Sequence, residues 1–74
     1  MEMYMYTIRH KRTSKYLAVD EGGAYFTENV YYLVDESTVD DYLQLNEGIY
    51  DEGTGKYLTN DELEKVKFEL KEVK

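Results

Sequence analysis

Apolar and polar side chains alternate over residues 3–8, with Tyr4, Tyr6 and Ile8 on one face and Met3, Met5 and Thr7 on the other. A period of two is the mark of a β-strand. Both faces are largely apolar, so this strand is expected to be central or to lie under a partner. His10-Lys11-Arg12-Thr13-Ser14 reads as a polar turn, and residues 15–19 as the returning strand. Gly22-Gly23 punctuates the chain before a short strand at residues 24–27. Residues 30–34 (Val-Tyr-Tyr-Leu-Val) are β-branched and aromatic, a composition that suits a buried strand.

A short helix follows, with Ser37 or Thr38 as the expected cap, because Thr38 is followed three residues later by Asp41, a carboxylate suited to a first turn. Val39, Tyr42 and Leu43 form its apolar stripe, and Asn46 and Gly48 supply the stop. Ile49-Tyr50 and residues 56–59 make a second hairpin around Asp51-Glu52-Gly53-Thr54-Gly55. The tail carries two patterns. Leu63, Val66, Leu70 and Val73 are spaced for a helix, and Thr59-x-x-Glu62 resembles a capping box; Val66, Phe68 and Leu70 alternate as a strand, which alone buries Phe68. The favoured reading is a helical turn at 60–65 and then a strand at 66–72.

An internal echo supports that reading. Ile8, Thr13, Lys15-Tyr16-Leu17 and Asp20-Glu21 match Ile49, Thr54, Lys56-Tyr57-Leu58 and Asp61-Glu62 in spacing. Val30-x-Tyr32-x-Val34-x-Glu36 likewise resembles Val66-x-Phe68-x-Leu70-x-Glu72. Recurrence of good turn sequences by chance is the plainer account. The expected fold is α+β: a small, mostly antiparallel β-sheet built from two similar hairpins, with one short helix packed on it, in a single domain over residues 1–74.

Composition narrows the classes. The chain has 74 residues, no Cys, Pro or Trp, and nine Tyr. The lack of Cys removes disulfide scaffolds, zinc knuckles and thiol catalysis. The opening residues lack a basic region and a long apolar stretch, so no signal peptide is expected, and no apolar run approaches a bilayer span. With 42% apolar and 15% aromatic residues, the chain is richer in core formers than disordered sequences. Chains this short bury only about 60% of their unfolded surface, which leaves a homodimer open as a source of added stability.

Charge is unevenly spread. The net value is −7, but residues 1–19 carry +3, residues 20–62 carry −11 and residues 63–74 carry +1. In the middle section the acids come as doublets: Asp20-Glu21, Asp35-Glu36, Asp40-Asp41, Asp51-Glu52 and Asp61-Glu62. Each stands at an expected turn or helix start, where Asp and Glu also serve plain turn chemistry and solubility.

Catalysis finds little support. His10, the single histidine, lies beside Arg9, Lys11 and Arg12, cations that disfavour its protonated form, with no carboxylate as sequence neighbour. Ser14 and Ser37 have no identifiable base, and paired carboxylates acting on a sugar would need a cleft that so small a chain has little depth to offer. Gly53-Thr54-Gly55-Lys56 is half a phosphate loop, but Tyr50 and Tyr57 stand where Gly and Ser/Thr are required, and Asp51-Glu52 would repel phosphate. It reads as a hairpin turn. The calcium-loop pattern is absent, so no metal and no cofactor is expected. A basic patch exists at Arg9, Lys11, Arg12 and Lys15, yet a −7 chain meets long-range repulsion from a polyanion. No direct nucleic-acid or membrane binding is expected, and the patch is read as balancing acids elsewhere.

Acids and tyrosines together favour a protein-binding role. Tyr adds apolar area and a hydrogen bond at low entropic cost, and acidic arrays steer basic partners. Carboxylates on one face of a strand would stand roughly 6.6 Å apart, a row of negative charge suited to a groove made for DNA. The segment from Tyr6 to Leu17, followed by a Gly-rich turn and Tyr25-Phe26-Thr27, resembles the start of many small bacteriophage proteins. Size, acidity and lack of Cys are similar to the acidic early host-takeover proteins of phages, DNA-mimic type, among them the Bacillus-phage inhibitor of the nucleoid protein HU. The resemblance implies a non-enzymatic inhibitor in the host cell cytoplasm that occupies the DNA-binding surface of HU. From charge, Asp20, Glu21, Glu28, Asp35, Glu36, Asp40, Asp41, Glu47, Asp51 and Glu52 are the expected negative surface, with Tyr31, Tyr42 and Tyr50 as candidate anchors. The alternative is a phage inhibitor or adaptor that binds a host enzyme, such as RNA polymerase or a cell-division protein, through its tyrosine-rich surface.

Overall fold

The longest alternating stretch becomes the spine of the sheet. In the computed structural model, which describes residues 2–71, strand β1 (Glu2–His10) pairs antiparallel along its whole length with the last strand, β6 (Leu63–Lys71), from Met3↔Leu70 through His10↔Leu63. Strands β2 (Tyr16–Asp20) and β3 (Gly23–Thr27) complete a four-stranded sheet in the order β3-β2-β1-β6. The apolar character of both faces of β1 has its reason here. Thr7 and Ile8, on opposite faces, are both fully buried.

Ile8 opens the main core, where it packs with Leu17, Val39, Ile49 and Leu63. Val39 comes from helix α1 (Glu36–Leu43), and the half-buried Tyr42 and Leu43 pack beside it, the stripe expected from the spacing. The cap differs. Asp35, extended at φ −73° and ψ 163°, accepts from the Thr38 backbone N–H at 3.3 Å and from the hydroxyls of Ser37 (2.9 Å) and Thr38. An Asp is among the strongest N-cap residues, and here it draws both expected caps into the first turn as donors. The helix also stops early, with Gln44 as its C-cap rather than Asn46 or Gly48.

Residues 30–34 do not form a strand. One edge of β1 is taken by β6 along its length; on the other, β2 pairs at Arg9↔Tyr16, and residues 30–34 meet that edge through one bridge, Tyr6 N–H to Val34 O at 2.7 Å and Val34 N–H to Tyr6 O at 2.8 Å. Tyr32 and Val34 reach the core while Tyr31 is 70% exposed. The echo between residues 30–36 and 66–72 therefore has no structural counterpart in its first copy, and Glu72 and Val73 lie outside the described residues.

The second hairpin is present, as β4 (Ile49–Asp51) and β5 (Lys56–Leu58), but it forms a separate two-stranded sheet. It is tied to the larger sheet through the Glu52 N–H, which donates to Ala24 O at 2.8 Å. Gly48 enters β4 at φ +84°, and a Cβ there would fall 2.2 Å from the Leu58 carbonyl oxygen, so no other residue fits. Only residues 60–62 of the tail are helical, as a 3-10 turn (Asn60–Glu62), with the Glu62 carboxylate accepting from the Thr59 N–H at 3.0 Å. The strand begins at Leu63, three residues earlier than expected, because a buried Leu63 opposite His10 already starts the alternation. Phe68 is half-buried, with Tyr16 at a ring-centroid distance of 6.3 Å.

The buried Thr7 hydroxyl has no hydrogen-bond partner, and an orphan polar atom costs about 1–3 kcal/mol. Thr7→Val is expected to raise stability by about 1 kcal/mol, whereas Leu17→Ala is expected to lower it by about 2–5 kcal/mol. Urea denaturation midpoints of the two variants test both signs.

Candidate functional site

Turns and the helix, rather than strand faces, carry the ten candidate acids. A strand row is therefore absent: Asp20 and Asp51 each end a strand, and the other eight lie in loops, turns or α1. Two groups form instead. On α1, Glu36, Asp40 and Asp41 follow the capping Asp35, with Glu36 and Asp40 one turn apart. Lys65 of β6 reaches both, at 2.7 Å from Glu36 and 3.0 Å from Asp40, and their pull holds the Lys65 proton above the ordinary lysine range, Glu36 first.

A second group forms where two turns meet. Asp20 accepts from the Gly22 N–H at 2.8 Å and shapes the β2–β3 turn. Glu52 lies across that turn, so close that a Cβ on Gly23 would be 2.9 Å from its Cγ and Oε1. Tertiary structure thus brings Glu52 against the Asp20-Glu21-Gly22-Gly23 turn from a distant part of the chain. Glu28 and Glu47 are exposed on separate loops.

Asp51 departs from expectation. It is only 6% exposed, and its carboxylate accepts from the Gly53 N–H and the Thr54 hydroxyl, both at 2.9 Å. It builds its own hairpin and offers no surface to a partner. Among the described residues the ion pairs are Arg9–Glu64, Lys65–Glu36 and Lys65–Asp40, so Glu21, Glu28, Asp41, Glu47 and Glu52 carry no paired cation.

The tyrosines divide. Tyr31 stands in solvent. Tyr42 packs edge-on to Tyr32 at 6.4 Å beside the core, and burial, with a bond between the two phenols, raises the Tyr32 hydroxyl above its usual range. Tyr50 is 39% exposed and meets Tyr57, its cross-strand partner, in a T-shaped contact at 5.0 Å. Tyr57 is 54% exposed and was missed by sequence reasoning, although the spacing of the hairpin could have supplied it.

The basic run balances acids in part: Arg9 donates to Glu64 at 3.1 Å, and Arg12 helps to hold the Glu62 carboxyl below its usual range. Among the described residues Lys11, Arg12 and Lys15 make no ion pair, and they line a cleft between the two hairpins. Comparison with protein-family models, curated proteins and solved structures yields no match to this chain. Among the described residues no helix is long and apolar enough to cross a membrane.

Two turn carboxylates have a pH signature. Thr38 and Ser37 hold Asp35 below the ordinary carboxylate range, and the Thr59 N–H does the same for Glu62. A lowered folded-state value contributes stability that is present above the unfolded value, about 4, and is lost as pH falls through the folded one. The melting temperature is expected to decline on acidification below about pH 4. In an Asp35→Asn, Glu62→Gln double variant, which keeps an acceptor at both sites, thermal melts across pH 2–6 are expected to show a shallower decline.

Proposed function

We propose that this chain is a non-enzymatic, DNA-mimicking bacteriophage inhibitor that occupies the DNA-binding surface of a basic host protein in the cytoplasm, with the nucleoid protein HU as the specific target. The observation that carries the reading is the split of exposed carboxylates into a helix group and a turn group, in which Lys65 alone supplies an ion-pairing cation. Charge of this density attracts a DNA-binding surface over the screening length of the solution and speeds encounter. Glu21, Asp41 and Glu52 are the central contacts, with Asp20, Glu28, Asp35, Glu36, Asp40 and Glu47 around them. Asp51 acts indirectly, by shaping the turn that presents Glu52.

Kinship of the two hairpins belongs to the same reading. Arg9 pairs with Tyr16 as Tyr50 pairs with Tyr57. The Ser14 N–H donates to His10 O as the Gly55 N–H donates to Asp51 O, and Ser14 and Gly55 share a left-handed backbone, at φ 60° and 71°. These correspondences support a sheet architecture grown from one repeated hairpin.

A second reading draws on the exposed Tyr50–Tyr57 pair and Tyr31: an inhibitor or adaptor that binds a host enzyme through its aromatic surface, its acids serving only solubility. One experiment separates the two. Displacement of a labelled duplex from purified HU is expected to weaken steeply between 50 and 200 mM salt, and a Glu21→Lys, Asp41→Lys, Glu52→Lys variant is expected to lose at least roughly tenfold in affinity. Failure to displace DNA, or displacement indifferent to salt and to charge reversal, overturns the mimic.

A further inference from the structure

We propose that the cleft between the two hairpin turns is a binding site for a small molecule that carries a phosphate group on an apolar or aromatic body. The cavity holds about 740 Å³, within the ~300–1,000 Å³ of small-molecule sites. The β1–β2 turn forms one wall and the β4–β5 hairpin the other, with residues 61–62 at the base of the first.

His10 supplies the observation that points to a ligand. His10 is 5% exposed, and its ring stands edge-on to Phe26 at 6.2 Å. The Thr13 backbone N–H donates to Nδ1 at 3.3 Å, and the Thr13 hydroxyl lies 3.1 Å from the same atom. A backbone N–H can only donate, so Nδ1 is the unprotonated nitrogen and the hydrogen sits on Nε2. Among the described residues Nε2 makes no hydrogen bond. It is also not sealed in, since among the described residues Thr7 Oγ1 is the one enclosed side-chain atom lacking a partner. A positioned donor on a buried ring therefore opens onto the cleft and wants an acceptor.

Charge defines that acceptor. Lys11, Arg12 and Lys15 stand on one wall and Lys56 on the other, and among the described residues none is in an ion pair. Two carboxylates of the lining are bonded to their own turns, Asp51 with Gly53 and Thr54 and Glu62 with Thr59, and Glu62 also feels the charge of His10 and Arg12. Asp61 is the remaining acid of the lining. Hydrogen bonding leaves these carboxylates charged, so the lining nets +1, four cations against Asp51, Asp61 and Glu62, with the Asp51 oxygens facing their own turn. A net positive lining with an imidazole N–H donor suits a group with several acceptor oxygens better than a lone carboxylate. Phe26, Tyr57 and Leu58 add an apolar surface for the rest of the molecule. Size favours a small ligand, since an extended polyanion would meet the net charge of −7.

The test is a titration of ¹⁵N-labelled protein with adenosine 5′-monophosphate at low ionic strength, followed by amide and histidine-ring NMR. Saturable shifts confined to residues 10–15 and 53–58, with movement of the His10 Nε2 resonance, are expected. Inorganic phosphate should act more weakly at the same residues, and adenosine should have no effect. Arg12→Gln and Lys56→Gln, both at exposed side chains, should each weaken the nucleotide by roughly tenfold, and Lys15→Gln is the further variant should either perturb the amide spectrum elsewhere. Equal responses to adenosine and its phosphate, shifts scattered outside the cleft, or unchanged affinity in the variants would overturn the site. Tighter binding of a single-stranded oligonucleotide than of the mononucleotide would overturn it too, in favour of nucleic acid.

Discussion

The pairing of β1 with β6 joins the two ends of the described chain, and the rest of the structure hangs from it. It aligns Ile8 with Lys65 and His10 with Leu63, so one pair of strands supplies two core residues, the lysine that meets α1 and the histidine that opens onto the cleft. Such contacts, far apart in sequence, carry a loop-closure cost. That cost is offset by the burial of Ile8 and Leu63 on one side and by the Arg9–Glu64 contact on the other. Once the spine exists, residues 30–34 join it through a single bridge at Tyr6, and its core face holds Val39 and Ile49 in place.

Charge is sorted by the same geometry. Some acids work for the fold: Asp35 caps α1, Asp51 and Glu62 close turns, and Asp20 shapes another. Others remain free and collect on the helix or around the Gly22-Gly23 turn. The turns that consume Asp51 and Glu62 leave nearby lysines and an arginine unpaired along the cleft. A strongly acidic chain therefore contains a local cationic hollow, and the two proposed binding properties use different parts of its surface.

Much of the architecture was legible in local patterns. Alternation placed β1, the polar turn at residues 10–14 and Gly22-Gly23 placed β2 and β3, the spacing of Val39, Tyr42 and Leu43 placed the helix stripe, and turn residues placed the second hairpin, because these depend on neighbours a few positions away. Strand propensity failed at residues 30–34, which make a single bridge to β1 and send Tyr32 and Val34 to the core instead. The cap moved to Asp35, a residue the local reading had assigned to the surface charge rather than to the helix start.

By itself, then, the chain determined its elements, its acidity and the identity of its turns, since periodicity, propensity and charge are local or additive properties. Only tertiary structure decided which acids were free. Hydrogen bonds turned Asp51 inward, Lys65 crossed to Glu36 and Asp40, and Glu52 came to rest beside Gly23. It also decided that His10, Lys11, Arg12 and Lys15 would face Lys56 across a cleft. Each of these outcomes depends on distances between residues far apart in sequence, which no pattern of neighbours encodes.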